Sequence, residues 1–306
     1  MDWEYNPIVS VEVSDPSALS LDRTTWILGR SPRDILLHLY GSQGLGLPPR
    51  SFASSERIGG DGDVVRGTRW GGREVFIPIL LDPGAQYTDG DERYLTYQTT
   101  MERQALYRAL SSGPVTLTVD DPLTTKSRSI RAHYKDGLEG DFGDGFHGSW
   151  QKLGLTFYCP DPWWMGDERN ASHRVVPGSK PFISKTSPFF PVMLSGSTVA
   201  GEMTVRVEGD GPVFPVWEVT GPGSGLLIES GGRRISMSGT LKAGETVRFD
   251  TGAGRIDPVA RWSEVSLDSE LFPLKPGNHQ IKVTMVGATV DTMVRAVWRE
   301  RYLYAI

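Results

Sequence analysis

Short runs that alternate between apolar and polar residues make up most of this chain. In the segment Thr292–Trp298, Val294, Ala296 and Trp298 fall on one side, and Arg295 falls on the other. A period of two is typical of a half-buried antiparallel strand. Similar runs recur throughout the sequence, at 75–81, 115–119, 129–134, 150–158, 203–207, 215–220, 246–250 and 280–286. The pattern therefore predicts an all-β chain.

One segment shows helical spacing instead. Between Glu92 and Leu110, apolar residues recur every three or four positions, and Asp89 or Asp91 can cap the start while Gly113-Pro114 can end the helix. We expect this single helix to lay an apolar stripe on a sheet. The stripe consists of Tyr94, Tyr97, Met101, Ala105 and Ala109, widened by Leu95, Leu106 and Leu110.

Length and turn residues indicate two domains. The chain has 306 residues with 36 Gly and 21 Pro, and single cores stop growing at roughly 250 to 300 residues. We predict an N-terminal domain at 1–168, a linker at 169–187 and a C-terminal domain at 188–306. Within the first domain, residues 131–158 are expected to form a hairpin arm whose tip, residues 136–148, is Gly-rich and acidic.

Composition excludes several classes of protein. Cys159 is the only cysteine, so an intrachain disulfide framework or a cysteine-based zinc site is not expected. The longest apolar run, Val75–Leu81, is too short to span a bilayer, and the acidic start does not resemble a signal peptide, so we expect no membrane insertion and synthesis in a cytoplasm.

Charge argues against sequence-specific nucleic-acid binding. Residues 1–168 carry 16 Lys and Arg against 24 Asp and Glu, a net charge of −8, whereas residues 169–306 carry 16 against 13, a net charge of +3. No run of Lys and Arg exceeds two residues, and a nucleic-acid footprint requires a basic patch.

The sequence contains no motif typical of an enzyme or of a cofactor site. No pair of histidines has ligand spacing, the two Asp-Gly-Asp turns do not continue into calcium loops, and no serine lies in a Gly-x-Ser-x-Gly elbow. We therefore predict no enzyme, metal or cofactor. A glycoside hydrolase stays open as a third hypothesis, because sequence cannot measure the distance between paired carboxylates.

Aromatic residues of the second half leave two interpretations open. Trp217, Trp262, Trp298 and Tyr302 could stack on sugar rings or contact a partner, which makes a carbohydrate-binding module the alternative function. Aromatic residues at strand positions also commonly form cores.

Several motifs in the expected order resemble the phage distal tail protein family of siphoviruses. The most specific is WQKLGLTFYCPDPWWMG at Trp150–Gly166, where a strand ends in a Cys, an Asp-Pro step and two aromatic residues. Ile58–Leu81 is similar to the family's Gly-Asp-Gly turn and following apolar strand. In the second half, Glu208–Ile228, Leu241–Thr251 and Leu274–Val283 resemble turns of the family's C-terminal sandwich.

This resemblance implies a fold, a function and partners. The fold would combine an N-terminal ring-forming β-barrel or sandwich with a C-terminal galectin-like, jelly-roll β-sandwich. The function would be structural: a homohexameric ring in the virion tail tip that joins the tail tube protein to the hub, near the tape measure protein, with a host-surface glycan as a further partner. Candidate assembly contacts are Asp61, Arg73, Asp141, Phe142 and Phe146.

Overall fold

The computed structural model describes residues 8–13, 25–29, 35–85, 91–139, 146–174 and 198–306. The chain forms two compact units, one comprising Met1–Gly166 with Tyr302–Ile306 and the other Asp167–Arg301. This division differs from the predicted domains at both ends of the second unit. A strand occupies Trp164–Arg174, where a linker was expected to begin at residue 169, and residues 175–187 of that linker lie outside the described residues.

The first unit is a set of antiparallel strands that share β8. The order β2-β1-β7-β8 forms one side and β8-β10-β6-β3 forms the other. β8 pairs with β7 through Ser127–Ala132 and with β10 through His133–Asp136. The strands, numbered in chain order, are β1 (Ile8–Val13), β2 (Thr25–Leu28), β3 (Leu36–His38), β4 (Arg50–Glu56), β5 (Asp63–Trp70), β6 (Arg73–Leu81), β7 (Val115–Asp120), β8 (Ser127–Asp136), β9 (Phe146–His147), β10 (Trp150–Cys159) and β11 (Trp164–Arg174), of which Trp164–Gly166 belong to this unit.

Alternation along these strands builds the core of the first unit. In β6, Val75, Ile77, Ile79 and Leu81 are buried while the residues between them are partly or fully exposed. The core also takes in Phe157, Cys159 and Trp164 near the motif at the end of β10. Burial raises the pKa of the Cys159 thiol to about 12, so this cysteine is an unreactive core residue.

The helix α1 spans Glu92–Ser111 and begins at Asp91, whose carboxylate accepts a hydrogen bond from the Arg93 amide at 3.3 Å. It packs against β6, β8 and β10. The predicted packing stripe was wrong in part, because the buried face consists of Thr99, Leu106, Ala109 and Leu110. Tyr94, Tyr97 and Met101 lie on the opposite, exposed face.

The strand residues of the predicted arm that the structure describes are built into the sheet, in β8 and β10. β10 pairs with β6 from Gln151 to Cys159, and its Trp150 and Gln151 pair with β9 on the other side. Apolar alternation on β10 explains this position, since Leu153, Leu155 and Phe157 are all buried. The predicted tip lies partly outside the described residues, which stop at 139 and resume at 146.

The second unit is a two-sheet β-sandwich. One sheet has the order β12-β18-β14-β15 and the other β17-β16-β13-β19-β11. One apolar core contains residues of both sheets, including Trp217, Phe249 and Ile281. Its further strands are β12 (Thr198–Val207), β13 (Val216–Thr220), β14 (Gly223–Ser230), β15 (Arg233–Leu241), β16 (Thr246–Asp250), β17 (Arg255–Asp257), β18 (Gly277–Val286) and β19 (Met293–Tyr302). The prediction of an all-β chain with one long helix and a C-terminal sandwich is confirmed.

A buried guanidinium organises one end of the first unit. Arg73 is 2% exposed and donates hydrogen bonds to the carbonyl oxygens of Gly44 at 3.0 Å and Gly46 at 2.7 Å, and to that of Leu303 at 2.6 Å. Burial lowers the pKa of Arg73 to about 10, which leaves it charged at neutral pH. Gly44 has a φ of +82°, and a Cβ there would collide with the backbone of Glu74, so this loop position requires glycine.

Arg128 holds the same C-terminal segment. Its side chain is 7% exposed, donates to the Tyr304 carbonyl at 2.7 Å and lies 3.8 Å from the ring centroid of Tyr302. Ala305 is buried, and its amide donates to the Leu45 carbonyl at 2.8 Å. Two arginines therefore attach Tyr302–Ala305 to the first unit.

A buried carboxylate plays the corresponding role in the second unit. Glu300 is 2% exposed, and its Oε2 accepts hydrogen bonds from the amides of Glu208 at 3.1 Å and Gly209 at 2.8 Å. Its Oε1 accepts from the indole Nε1 of Trp298 at 2.9 Å. A Cβ on Gly209 would lie 2.6 Å from the Arg301 carbonyl oxygen, so this close approach requires glycine. Glu300 thus joins the turn at 208–211 to the last strand.

We predict that Arg73→Met destabilises the first unit by about 3 kcal/mol, because three carbonyl groups lose a charged donor. Arg73→Lys should not restore it, since one ammonium group lacks the fork of donors that reaches all three. Hydrogen exchange followed by mass spectrometry should show faster exchange at residues 43–47 and 303–306, with β13 and β16 unchanged. The exposed Arg131→Met is the control, and unchanged protection at residues 43–47 would contradict the prediction.

We predict that Glu300→Gln lowers the free energy of unfolding of the second unit by about 2 kcal/mol, because the amide cannot accept all three hydrogen bonds of the carboxylate. Urea denaturation monitored by hydrogen exchange of β13 and β19 measures this loss. Glu270→Gln changes an exposed carboxylate of the same unit and should have little effect. Equal stability of the two variants would show that the Glu300 contacts are not needed.

Candidate functional site

The titratable groups whose pKa values are displaced belong to turns and cores. A hydrogen bond from the Thr124 hydroxyl lowers the pKa of Asp121, and the Lys242 amide lowers that of Glu245. Over the residues that the structure describes, no group of three or more His, Cys, Asp or Glu side chains is placed to hold a metal ion. In the same residues, no helix combines the length and the hydropathy that a membrane span requires. These groups stabilise local structure and do not converge on a cleft.

The most unusual surface feature is a two-stranded ribbon of residues 50–70, formed by β4 and β5. Within the part of the chain that the structure describes, the two strands pair only with each other, from Arg50 opposite Trp70 to Glu56 opposite Asp63. The turn between them is closed by a hydrogen bond from the Arg57 amide to the Gly62 carbonyl. No side chain of either strand is buried. The ribbon therefore has no core of its own.

Apolar groups lie on the ribbon surface. Phe52 is 61% exposed, Val65 is 55% exposed, and Ile58 in the turn is fully exposed. An isolated two-stranded hairpin is at best marginally stable in water, and clustered apolar groups on a surface mark a contact site. These properties make the ribbon the first candidate assembly surface.

The second candidate surface is the exposed side of α1, which we call the outer stripe and define by Tyr94, Tyr97 and Met101. Their exposed fractions are 43%, 58% and 45%. They lie at positions i, i+3 and i+7, so they share one face of the helix. The helical periodicity was predicted from the sequence, but its strongest apolar stripe points away from the unit's core.

The four aromatic residues that the sequence suggested as sugar or partner contacts differ in how deeply they are buried. Trp217 is 0% and Trp298 is 5% exposed, and both belong to the core of the second unit, so neither ring is available to stack on a sugar. Tyr302 packs on the Arg128 guanidinium. Trp262, in the 3₁₀ turn Val259–Glu264, is 51% exposed and retains a surface ring.

The five residues predicted as assembly contacts also lie in different environments. Arg73 is buried, which corrects its prediction as an assembly contact: its two terminal nitrogens donate to carbonyl groups inside the first unit. Asp61 is exposed in the turn of the ribbon. Asp141 and Phe142 lie outside the described residues, and Phe146 is described only through its backbone pairing with Gln151 in β9 and β10.

The sequence alone did not identify three residues that matter in the structure: Phe52 and Val65 of the ribbon, and the buried Glu300. Phe52 and Val65 lie in Ser- and Arg-rich strands without regular alternation, so no hydrophobic pattern marks them. Glu300 could have been found, because the period of two in β19 places it on the buried face with Val294, Ala296 and Trp298. A charged residue at a predicted core position indicates a buried polar contact.

A groove of about 390 Å³ lies on the second unit, on the outer face of the β12-β18-β14-β15 sheet. Arg234 and Lys282 line it together with Glu229, which pairs with both across the strands. Arg234 is already engaged by Asp268 in an ion pair. The groove is open and charged, and its lining groups are those of a solvated sheet face.

Comparison with known proteins identifies the second unit most directly. Residues 208–302 match the family model of the siphovirus-type tail component, C-terminal domain. This match begins at Glu208 and ends at Tyr302, the region that Glu300 closes through its bonds to the 208–209 amides. No curated protein sequence matches the chain significantly.

Solved structures extend the comparison to the whole chain. The Dit protein (gp 19.1) of phage SPP1 has a similar fold with a TM-score of 0.61, 17% sequence identity, and coverage of 96% of this chain and 98% of that chain. A chain of the phage P2 baseplate in its activated, calcium-bound conformation matches with a TM-score of 0.50, 10% identity and the same coverage. The fold and the domain match together confirm the resemblance seen in the motifs: residues 208–302 match a siphovirus-type tail component domain, and the whole chain has the fold of the SPP1 Dit protein, so the chain resembles structural components of the phage virion tail.

Proposed function

We propose that this chain assembles into a closed ring of six copies at the distal end of the phage tail, where the ring joins the tail tube to the tip hub. The observation that carries the proposal is that the similarity in fold runs through both units and is not limited to the C-terminal sandwich. The SPP1 protein with this fold is described as a paradigm of the hub adsorption apparatus in phages that infect Gram-positive bacteria.

Features of the first unit support a role in assembly. Its two buried arginines donate to backbone carbonyl groups of the same unit, whereas the ribbon and the outer stripe leave apolar side chains on its surface. Residues 1–166 carry 16 Lys and Arg against 22 Asp and Glu, a net charge of −6. A ring with an acidic wall would repel DNA and let it pass without adhering.

In this proposal, the position of the ring in the tail determines which proteins it contacts. The tail tube protein would contact one face of the ring, the hub protein the other, and the tape measure protein would pass through the centre. The second unit, a sandwich with its own closed core, would face outward. Assembly with other tail proteins, and not catalysis, would then be the chain's role.

We predict that the purified full-length chain forms a species of about 202 kDa, six times the 33.7 kDa of one copy. Mass photometry over a dilution series measures the mass, and class averages of negatively stained particles should show six-fold symmetry. Addition of the tail tube protein should shift the equilibrium towards rings, because it binds only the assembled face.

The control is the tube protein alone under the same conditions. A chain that remains monomeric at every concentration, with and without the tube protein, and that does not restore tails lacking their own copy, would contradict the proposal.

A further inference from the structure

The first unit is built from two stretches that lie far apart in the sequence. Met1–Gly166 form most of it and Tyr302–Ile306 complete it, whereas Asp167–Arg301 between them make up the second unit. We call residues 302–305 the completing segment. Because synthesis runs from the N-terminus, this segment is made only after the whole second unit. The contacts of the completing segment therefore decide how much of the first unit can form before it arrives.

Arg73 depends on the completing segment for one of its guanidinium nitrogens. Its Nη1 donates to the carbonyl groups of the 44–46 loop, whereas its Nη2 donates to the Leu303 carbonyl at 2.6 Å. Among the described residues, its Nε has no hydrogen-bond partner. The residue is 2% exposed, so water cannot replace a missing acceptor. Without Leu303, most of a buried cationic fork would be unbonded, which strongly disfavours the buried position.

Two further contacts of the completing segment are buried. Arg128, 7% exposed, donates to the Tyr304 carbonyl at 2.7 Å, and its guanidinium carbon lies 3.8 Å and 4.6 Å from the ring centroids of Tyr302 and Tyr304. Ala305, 3% exposed, belongs to the apolar core of the unit, and its amide donates to the Leu45 carbonyl at 2.8 Å. Absence of the segment would therefore open the first unit at three points.

Arg73 also connects the completing segment to the base of the ribbon. The 44–46 loop that it holds leads into β4, which begins at Arg50, and β5 ends three residues before Arg73 itself. The Gly71 amide donates to the Pro49 carbonyl at 2.8 Å and closes the base. Both strands of the ribbon therefore leave the unit from backbone next to the Arg73 hydrogen bonds. A ribbon without a core of its own depends on this base for its position.

From these contacts we infer that the completing segment is an assembly checkpoint: only a chain whose second unit has been made in full orders the base of its ribbon and enters the ring. Chains grow at about 5 to 20 residues per second, so the second unit takes several seconds to synthesise, whereas small β-rich domains fold in milliseconds to seconds. Residues 1–166 thus have time to collapse while the segment is missing. This inference rests on the proposed ring and adds how entry into it is controlled.

The test compares the full-length chain with two variants. Ala305→Asp places a carboxylate at a core position and should displace the completing segment. A chain that stops at Arg301 removes the segment without adding a charge, and it keeps the inference testable if the aspartate unfolds more than the first unit. Hydrogen exchange followed by mass spectrometry should show amides of residues 43–50 and 70–73 exchanging faster, on the order of 100-fold, in both variants. Exchange in β13 and β16 should be unchanged.

The matched control adds the same charge one residue further along. Ile306→Asp changes a side chain that is 39% exposed, whereas Ala305 is 3% exposed. Because docking of the segment does not bury position 306, the control should exchange and assemble like the wild type. Sedimentation velocity and mass photometry measure assembly of all four chains. The two variants should need concentrations higher on the order of tenfold or more to form rings.

Co-expression with untagged wild type measures the checkpoint itself. A tagged chain that stops at Arg301 should be depleted from purified rings on the order of tenfold relative to its share of the lysate, whereas tagged Ile306→Asp should enter in proportion. Proportional entry of the shortened chain, or unchanged exchange at residues 43–50 in both variants, would overturn the inference while the ring itself stands. A wild type that never forms rings would instead overturn the proposed function together with the inference.

Discussion

A buried positive charge that must be satisfied shapes the first unit. Arg73 lies on a core strand, where the next inward-facing residue, Val75, and the residue opposite it, Cys159, are buried and apolar, and a guanidinium cannot be buried there without acceptors. It takes them from the backbone of the 44–46 loop and of Leu303. Arg73 thereby joins the 44–46 loop and the segment after β19 to strand β6. Glu300 imposes the reverse constraint on the second unit, where a buried carboxylate collects amide donors.

Buried polar groups and surface groups therefore have different roles: the buried ones stabilise each unit, and the surface ones are candidates for contacts in assembly. The charged groups that stabilise each unit are buried and hydrogen-bonded inside it, so they are unavailable to other molecules. The groups left at the surface of the first unit are of another kind: exposed apolar side chains on a ribbon and on one side of a helix. Such surface groups are typical of contacts between proteins.

The same view accounts for the aromatic residues and the cysteine. Trp217 and Trp298 fill the core of the sandwich, and Cys159 and Trp164 fill that of the first unit. Large side chains bury much apolar surface per residue, which short strands need to form a stable core. The motif around Cys159 therefore contributes to the core through packing.

Local pattern was sufficient for the all-β class, the position of the helix, the alternation in β19 and the resemblance to phage tail proteins, because each depends on neighbouring residues in the sequence. Local pattern did not predict the features that depend on contacts between segments far apart in the sequence. The face of α1 that is buried depends on which sheet lies beneath it, so Tyr97 and Met101 were assigned to the wrong side. Burial of Arg73 depends on carbonyl groups from residue 44 and residue 303, which no window along the chain contains. Tertiary structure alone decided these points, because burial and hydrogen bonding are properties of segments brought together in space.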